Sequence, residues 1–473
     1  MRIFGCRAAV LWFIAAAAAP QDYTAGPEVD RALARISPDS LRGNLSFLAS
    51  RLLEGRDTPS RGLDLAAEYI AAQFRKARLE PAGDDGYFQT AHMERVILPA
   101  GGCDLRVSAR QRVRVVPKYE AVVLSRGALE ISGAPVYKVR EPSAEQVTGK
   151  VVMIEGGQAA TRAAAALKPA AFLEAADERV LWPAPRMIEP AEEEACYGGV
   201  PRVVIHDEEA LDMLKKAKTG ATGLTVSLKL AASTLQAAVA RNVVGLLRGS
   251  DPALRNQYLL VTAHYDHLGA SGEQVFPGAN DDGSGTVSVI EIAQALAGLP
   301  EHPRRSVIFM TLFGEEEGSL GALYYTRHPA APLKQTVADL NLEQLGRTDS
   351  SAGPEVGNAS LTGFEYSTIP RTLKEAGERT GVKVYETANG DDYFARSDNH
   401  AFAERGIPAH TIVVAFEFPD YHAAGDVWEK IDYDNMARVD RMIALATIML
   451  ADSEAPPRWN LENDTALRYS ESK

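Results

Sequence analysis

Two short polar motifs near the middle of the chain carry side chains that can hold a metal ion. An apolar, β-favouring run at residues 258–261 leads to His264 and Asp266, which are two residues apart and therefore leave a strand end on the same side. After a glycine-rich loop, Asp281 and Asp282 precede small residues and a helical apolar pattern. This combination of imidazole and carboxylate at one end of a sheet suits a divalent metal, and zinc fits best.

Later motifs add further carboxylates and a second imidazole. A strand-like run at residues 307–313 is followed by three adjacent glutamates at 315–317, which are electrostatically costly beside a core strand unless a cation is present. Glu343 follows another apolar run, and Tyr421 and His422 stand in a loop before the last part of the chain. Ligand sites in parallel sheets gather at the C-terminal strand ends, so we expect these residues to converge.

The elements that must position these residues follow from the hydrophobic pattern. Residues 37–79 carry apolar side chains at helical spacing. Residues 100–235 contain short β-rich runs and one helical stretch, 208–218, without a metal-ligand motif. From residue 242 onward strands and helices alternate, as expected of a largely parallel α/β sheet. The strands are predicted at 243–247, 258–262, 307–312, 337–342 and 409–414.

Length, charge and the N-terminus limit the possible functions. A chain of 473 residues suggests two or three domains, and a net charge of −13 argues against nucleic acid or an anionic membrane as the main partner. A basic start, an apolar run at residues 8–19 and Pro20 form the pattern of a signal peptide, and the run is too short to favour a permanent membrane span. We therefore expect a secreted or periplasmic protein.

Whether the cysteines form a disulfide depends on that compartment. Cys6 falls within the predicted signal peptide, which leaves Cys103 and Cys196 in the mature chain. In an oxidising space this pair can form one disulfide, and that is the prediction adopted here. Two free, buried thiols are the alternative.

The motifs HxD, NDDGSG, GEEEG, NLEQLG and DYH, in this order, resemble the M28 family of metallopeptidases, whose sites hold two zinc ions. The resemblance extends to residues 37–93, which include LSFLASRLLEGR, and to RSDNHAFAERGIPA at residues 396–409. It implies a zinc exopeptidase-like α/β fold with a mixed, largely parallel sheet flanked by helices.

Two segments within the β-rich region, residues 149–154 and 199–214, resemble a protease-associated domain, a module inserted in some M28 peptidases. The expected organisation has five parts: a signal peptide at 1–20, the N-terminal part of the peptidase domain at 21–99, the inserted β-rich domain at 100–235, the main metallopeptidase domain at 236–455, and a C-terminal surface tail at 456–473.

Carried over residue by residue, the resemblance implies two zinc ions per chain that share one carboxylate. Asp281 is the expected bridge, with Asp282 as the alternative. His264 and Glu343 would complete one ion, and Glu316 and His422 the other.

The resemblance also implies catalytic roles for residues beside the ligands. Glu315 would be the general base that takes a proton from the attacking water. Asp266 would orient His264 from behind. Tyr421 would donate a hydrogen bond to the developing oxyanion, with simple packing as the alternative, and Arg396 would contact the substrate.

Two positions depart from the commoner family pattern, and one further histidine lies beside the expected ligands. Glu343 stands where aspartate is usual, so its carboxylate must reach one methylene further. Asn399 stands where many members have histidine. His267 adjoins the first motif, but its opposite strand parity predicts a structural role.

The sequence therefore predicts a secreted dizinc exopeptidase that removes N-terminal residues from peptides. A glutamate-carboxypeptidase-like carboxypeptidase is one alternative. A glutaminyl cyclase-like acyl transferase is another, which the β-rich insert disfavours. A non-catalytic, receptor-like ectodomain is the alternative from a different class, and the suitable side chains at all five ligand positions argue against it.

Overall fold

The computed structural model describes residues 26–97, 103–110, 112–117, 121–125, 127–175, 187–230, 233–351 and 353–471. The predicted signal peptide lies outside the described residues. The helices are α1 (Pro27–Leu33), α2 (Pro38–Leu48), α3 (Arg61–Lys76), α4 (Ala144–Val147), α5 (Gln158–Ala166), α6 (Pro190–Tyr197), α7 (Glu208–Lys215), α8 (Gly285–Ala297), α9 (Leu320–Arg327), α10 (Ile369–Thr380), α11 (Asn399–Ala403), α12 (Tyr433–Asp452) and α13 (Asp464–Ser470).

Short 3₁₀ segments occur at Arg51–Arg56, Leu333–Gln335 and Trp428–Lys430, and a wider turn occupies Ala279–Ser284. The strands are β1 (Glu80–Pro81), β2 (Phe88–Ile97), β3 (Cys103–Ala109), β4 (Arg112–Val116), β5 (Ala121–Leu124), β6 (Leu129–Val139), β7 (Val151–Ile154), β8 (Ala171–Ala175), β9 (Met187–Ile188), β10 (Arg202–Ile205), β11 (Gly220–Leu230), β12 (Thr234–Leu247), β13 (Tyr258–His264), β14 (Ala270–Ser271), β15 (Gln274–Val275), β16 (Ser306–Leu312), β17 (Thr336–Leu342), β18 (Asp349–Ser350), β19 (Gly353–Pro354), β20 (Asn358–Leu361), β21 (Lys383–Val384) and β22 (Ala409–Val413).

A ten-stranded mixed sheet forms the centre of the molecule. Its order is β21-β20-β22-β17-β13-β16-β12-β2-β9, and β1 pairs with β12. The four neighbouring strands β22, β17, β13 and β16 are parallel, whereas β12 and β20 join them antiparallel on the two sides. The predicted α/β fold with a mixed sheet is confirmed, and its parallel centre places four C-terminal strand ends side by side.

Helices cover both faces of this sheet. On one face, α2, α3, α8 and α12 share a large apolar core with the strands, and on the other α9, α11 and α13 form a second core. The predicted helical spacing explains α3, because Ile70 and Phe74 lie on its buried side. Ser37 caps α2 by accepting a hydrogen bond from the Ser40 N–H.

A second sheet lies within the β-rich part of the chain and has its own apolar core. Its order is β4-β3-β11-β6-β7-β8-β10-β5. The connection to the main sheet is a long antiparallel ribbon, in which β2 pairs with β12 from Thr234 opposite Ile97 to Val243 opposite Phe88. The segments through which the chain enters and leaves the second sheet, β2 and β12, therefore run side by side.

Two expectations about the periphery are wrong. The C-terminal segment is not a surface tail, because Trp459, Ala466 and Tyr469 are buried in the core on the α9 face. Cys103 and Cys196 are both free: the Cys103 thiol lies 3.6 Å from the Ala121 carbonyl oxygen, and the Cys196 thiol donates to Glu192 at 2.9 Å. Each thiol has its own polar neighbour, so burial in two separate environments replaces the predicted disulfide.

Within the described ranges, no helix combines the length and apolarity that crossing a membrane requires.

Candidate metal centre

The side chains predicted to bind metal lie at the C-terminal ends of the central parallel strands. His264 is the last residue of β13, and its register partner on β16 is Leu312, so the two strands end together. Glu315 and Glu316 follow β16, and Glu343 directly follows β17. The chain crosses this edge of the sheet repeatedly, which brings together residues that are far apart in sequence.

One group of donors contains His264, Asp281 and Glu343, whose ligand atoms all lie within 4.8 Å of one another. His264 Nε2 is 3.3 Å from Asp281 Oδ1 and 4.0 Å from Glu343 Oε1. Two ligands of one tetrahedral zinc ion lie about 3.4 Å apart, since each is about 2.1 Å from the metal. The Glu343 carboxylate therefore lies within this group, even though its side chain is one methylene longer than the usual aspartate.

A second group lies on the other side of the same aspartate. His422 Nε2 is 2.9 Å from Asp281 Oδ2 and 3.5 Å from Glu316 Oε2. Asp281 thus turns one carboxylate oxygen to each group, as a bridging ligand must.

His267 joins this second group, contrary to the expectation from strand parity. Its Nδ1 lies 2.8 Å from Glu316 Oε1, and His267, Asp281 and Glu316 also have ligand atoms within 4.8 Å of one another. The parity argument fails because β13 ends at His264, and beyond a strand end side chains no longer alternate. The one sequence feature that could have indicated His267 as a metal donor is its imidazole directly after the HxD motif.

Several buried polar atoms of the two groups lack a hydrogen-bond partner. They include His264 Nε2, and also His267 Nδ1 and Glu316 Oε1, which lie 2.8 Å apart but do not meet hydrogen-bond geometry. Buried imidazole and carboxylate atoms are normally satisfied, so their convergence without partners is the arrangement of a site that is completed by cations. The nitrogen and oxygen donor set fits zinc.

The charges of the site support the same interpretation. Burial, together with the charge of Glu343, raises the pKa of Glu315 well above its usual value, and burial also raises the pKa of Glu343. Burial lowers the pKa of His422, but the carboxylates of Glu316 and Asp281 outweigh it and raise this pKa to about 9. Carboxyl groups packed this closely in a buried space ionise together only when positive charge compensates them.

Asp266 contacts both His264 and the glutamate run. Its carboxylate Oδ1 accepts a hydrogen bond from the Glu315 N–H at 3.1 Å and lies 3.6 Å from His264 Nδ1. The main-chain oxygen of Asp266 is closer to His264 Nδ1, at 3.2 Å. The residue is therefore placed to orient the imidazole and also to fix the start of the GEEEG turn.

Asp282 and Asn399 belong to neither of the donor groups found among the described residues. Asp282 Oδ1 accepts hydrogen bonds from the N–H groups of Gly285 and Gln344, at 2.9 and 3.2 Å. Asn399 donates to the Phe394 carbonyl and accepts from the Thr411 hydroxyl. These contacts give both residues a role in holding the surrounding loops.

Asp426 supports the main chain at the shared aspartate, and the sequence pattern assigned it no role. It is buried, and its carboxylate accepts hydrogen bonds from the N–H groups of Asn280 and Asp281 at 2.9 to 3.1 Å. The bonds fix the main chain that carries the shared aspartate.

A cavity that is open to solvent adjoins the two groups. Tyr421, whose ring stacks on His422 with centroids 3.9 Å apart, lines it. Burial raises the pKa of the Tyr421 hydroxyl, which keeps it protonated as a hydrogen-bond donor. Arg396 is exposed and also lines the cavity, with its guanidinium 4.8 Å from the ring centre of Tyr393. The cavity can therefore hold an organic substrate between the metal groups and an exposed cation.

Comparison with known proteins relates this chain to a family of peptidases. The model of the family described as Peptidase family M28 matches residues 242–447. Among curated proteins, an aminopeptidase named YwaD from Bacillus subtilis is 28% identical over 268 residues, which are 55% of this chain and 53% of that protein. A probable zinc metalloprotease from Pyrenophora tritici-repentis is 28% identical over 278 residues, or 49% of this chain and 56% of that protein.

The chain thus spans about half the length of the curated relatives it matches. Among solved structures, an aminopeptidase from Aneurinibacillus sp. strain AM-1 is 19% identical, with a TM-score of 0.55 over 91% of this chain and 97% of that one. The structural likeness concerns the fold and extends well beyond the segment matched by the family model.

Proposed function

Residues 242–447 belong to peptidase family M28, and from this premise we propose that the protein is a dizinc aminopeptidase, which hydrolyses the N-terminal peptide bond of its substrates. The observation that carries the proposal is the orientation of Asp281, whose two carboxylate oxygens face separate groups of donors. In the proposal His264 and Glu343 hold one ion, and Glu316 and His422 hold the other. His267 adds a nitrogen donor beside the second ion.

The residues around the groups divide the chemistry among them. Two zinc ions, when bound, would polarise the substrate carbonyl and lower the pKa of the attacking water. Glu315 belongs to neither group and takes the proton from that water, then passes it to the leaving amine. Asp266 fixes the Glu315 main chain, and Tyr421 donates a hydrogen bond to the substrate oxygen that gains negative charge.

The acidic character of the site supports attack at the N-terminus. A free α-amine is a cation, and it can pair with acidic groups beside the cavity near the metal donors. The relatives named as aminopeptidases agree with this direction. In the same proposal the N-terminal pattern directs export, and residues 100–235 act as a protease-associated module that frames access to the site.

Arg396 favours a second candidate, a carboxypeptidase that recognises a substrate carboxylate. The guanidinium lines the same cavity and is exposed. In an aminopeptidase the same residue would contact the substrate further along the peptide. The two candidates differ in which end of the peptide must be free.

A panel of peptides with one end blocked separates these functions. We expect cleavage of substrates with a free N-terminus, including C-terminally amidated ones, and no cleavage after N-acetylation; a chelator should stop the reaction. Cleavage of N-acetylated peptides that depends on a free C-terminus would instead establish the carboxypeptidase. Cyclisation of N-terminal glutamine without peptide-bond cleavage would establish the acyl transferase.

A further inference from the structure

The Arg56 side chain is buried and spans four main-chain carbonyl groups from three parts of the chain. Its Nε donates to the main-chain oxygen of Tyr265 at 2.7 Å. Its terminal nitrogens donate to the main-chain oxygens of Pro277 and Gly278 at 2.7 and 2.8 Å. A further bond goes to the Leu48 oxygen. A planar guanidinium has five N–H donors in a fixed fork, so it can hold such an arrangement where a lysine cannot.

The backbone beside Arg56 is joined to the same region. The Arg56 carbonyl accepts from the His267 N–H at 3.3 Å, and the Gly55 carbonyl accepts from the Gly269 N–H at 3.1 Å. Glu54, Gly55 and Arg56 have φ values of 51°, 72° and 53°. Consecutive left-handed residues are unfavourable for side chains other than glycine, so the surrounding structure must enforce this turn.

The backbone at Gly55 lies very close to the loop that follows β13. A Cβ atom at Gly55 would lie 2.3 Å from the Gly269 oxygen and 2.5 Å from the Phe276 oxygen. The glycine therefore permits close contact between the Arg51–Arg56 segment and the loop after β13.

Three of the four carbonyl groups that Arg56 holds belong to two of the loops that carry metal donors. Tyr265 lies between His264 and Asp266, and Gly278 is three residues before Asp281. A shift of one loop against the other would change the distance between His264 and Asp281, which is 3.3 Å from Nε2 to Oδ1.

Arg56 also contributes positive charge. Burial lowers its pKa to about 10, so the group stays protonated at neutral pH, and the charges of Asp266, Asp426, Asp282 and Asp281 oppose the shift. Before metal binds, this charge offsets part of the repulsion among the aspartates.

We propose that Arg56 is a positioning residue that holds the two donor loops at the spacing needed for two zinc ions. The inference rests on the proposed function. Arg56 lies outside the segment 242–447 that the family model matches, so in this inference a residue beyond that segment helps to fix the geometry of the site. Arg56 does this through its hydrogen bonds and not through charge alone.

The test compares Arg56→Met and Arg56→Lys with Arg305→Met in the full chain. Arg305 is equally buried and donates to main-chain oxygens such as those of Leu450 and Ala451, but it precedes β16 and so lies at the opposite end of the parallel strands. Zinc affinity is measured by competition with a chelator, and the melting temperature is measured on zinc-free protein.

We expect both Arg56 variants to lose zinc affinity by about 10- to 100-fold, the usual cost of removing a residue that supports metal ligands. Arg305→Met should lower the melting temperature and leave zinc affinity unchanged. Wild-type affinity in Arg56→Met, full recovery in Arg56→Lys, or an equal loss in Arg305→Met would each overturn the inference. Absence of zinc binding by the wild-type protein would contradict the proposed function instead.

Hydrogen exchange on zinc-free wild-type protein provides a test that does not depend on whether the variants fold. The His267 and Gly269 amides should already be protected, because their partners belong to the Arg56 segment. Rapid exchange of both amides, with protection only after zinc is added, would show that metal and not Arg56 fixes the loops.

Discussion

Replacing Glu315 by glutamine should lower the turnover rate by about 10² to 10⁴ while the protein keeps its metal and its affinity for substrate. The Glu315 carboxylate is not part of either donor group found among the described residues. An amide of the same size preserves packing but cannot accept the proton. Steady-state kinetics combined with metal analysis of the variant would check this outcome.

The neighbouring Glu316→Gln variant is the matched control, because it makes the same chemical change one residue later. Glu316 lies 3.5 Å from His422 and 2.8 Å from His267, so its loss should weaken metal binding. An amide oxygen is a poorer metal ligand than a carboxylate. If Glu315→Gln lost metal while Glu316→Gln kept it, the roles within the GEEEG turn would be shifted by one residue.

Asp281→Asn should lower the affinity for both ions, and activity should fall with it. Removing a residue that only supports a ligand typically costs about 10- to 100-fold in metal affinity, so the loss of the shared ligand should exceed that range. Asp281 is the one donor common to both groups found among the described residues. Competition with a chelator, followed by activity at saturating zinc, would measure the change.

Asp282→Asn is the control for this substitution. The two aspartates are adjacent and both are buried, but Asp282 accepts from the N–H groups of Gly285 and Gln344, and an amide oxygen can still accept these bonds. Metal binding should therefore survive. Loss of both ions in Asp282→Asn, with retention in Asp281→Asn, would identify Asp282 as the bridge.

The central strands could be predicted from the sequence because β13 and β16 are nearly continuous apolar runs. β13 and β17 are buried along almost their whole length, although Asp339 and Asn341 interrupt the apolar pattern of β17. The polar residues at their ends stand out for the same reason, and the structure brings those side chains together. Position at a strand end was therefore sufficient to indicate where the chemistry is concentrated.

The contribution of His267 was harder to predict, because period-two alternation applies only within a strand. β13 ends at His264, and the next residues turn, so His267 reaches Glu316 from a loop. Arg56 belongs to the LSFLASRLLEGR stretch that resembles the family, but nothing in that stretch indicates that its side chain is buried, since an arginine near a predicted helix is normally solvated. Its burial depends on contacts with Tyr265 and Gly278, which are more than 200 residues away in the sequence.

The C-terminal segment and the cysteines show the same dependence on tertiary structure. Ala466 and Tyr469 are three residues apart on a short helix, and a polar, proline-interrupted composition concealed their buried face. Cysteine number limits which disulfides are possible but carries no information on distance, so the environments of Cys103 and Cys196 had to come from the fold.

The dinuclear centre is tested most directly by titrating metal-free protein with zinc while aminopeptidase activity is followed. The two donor groups that share Asp281 predict that activity reaches its plateau close to two equivalents of zinc per chain, and that metal analysis of the active protein gives the same number. A plateau at one equivalent, or full activity in metal-free protein, would contradict the dinuclear account.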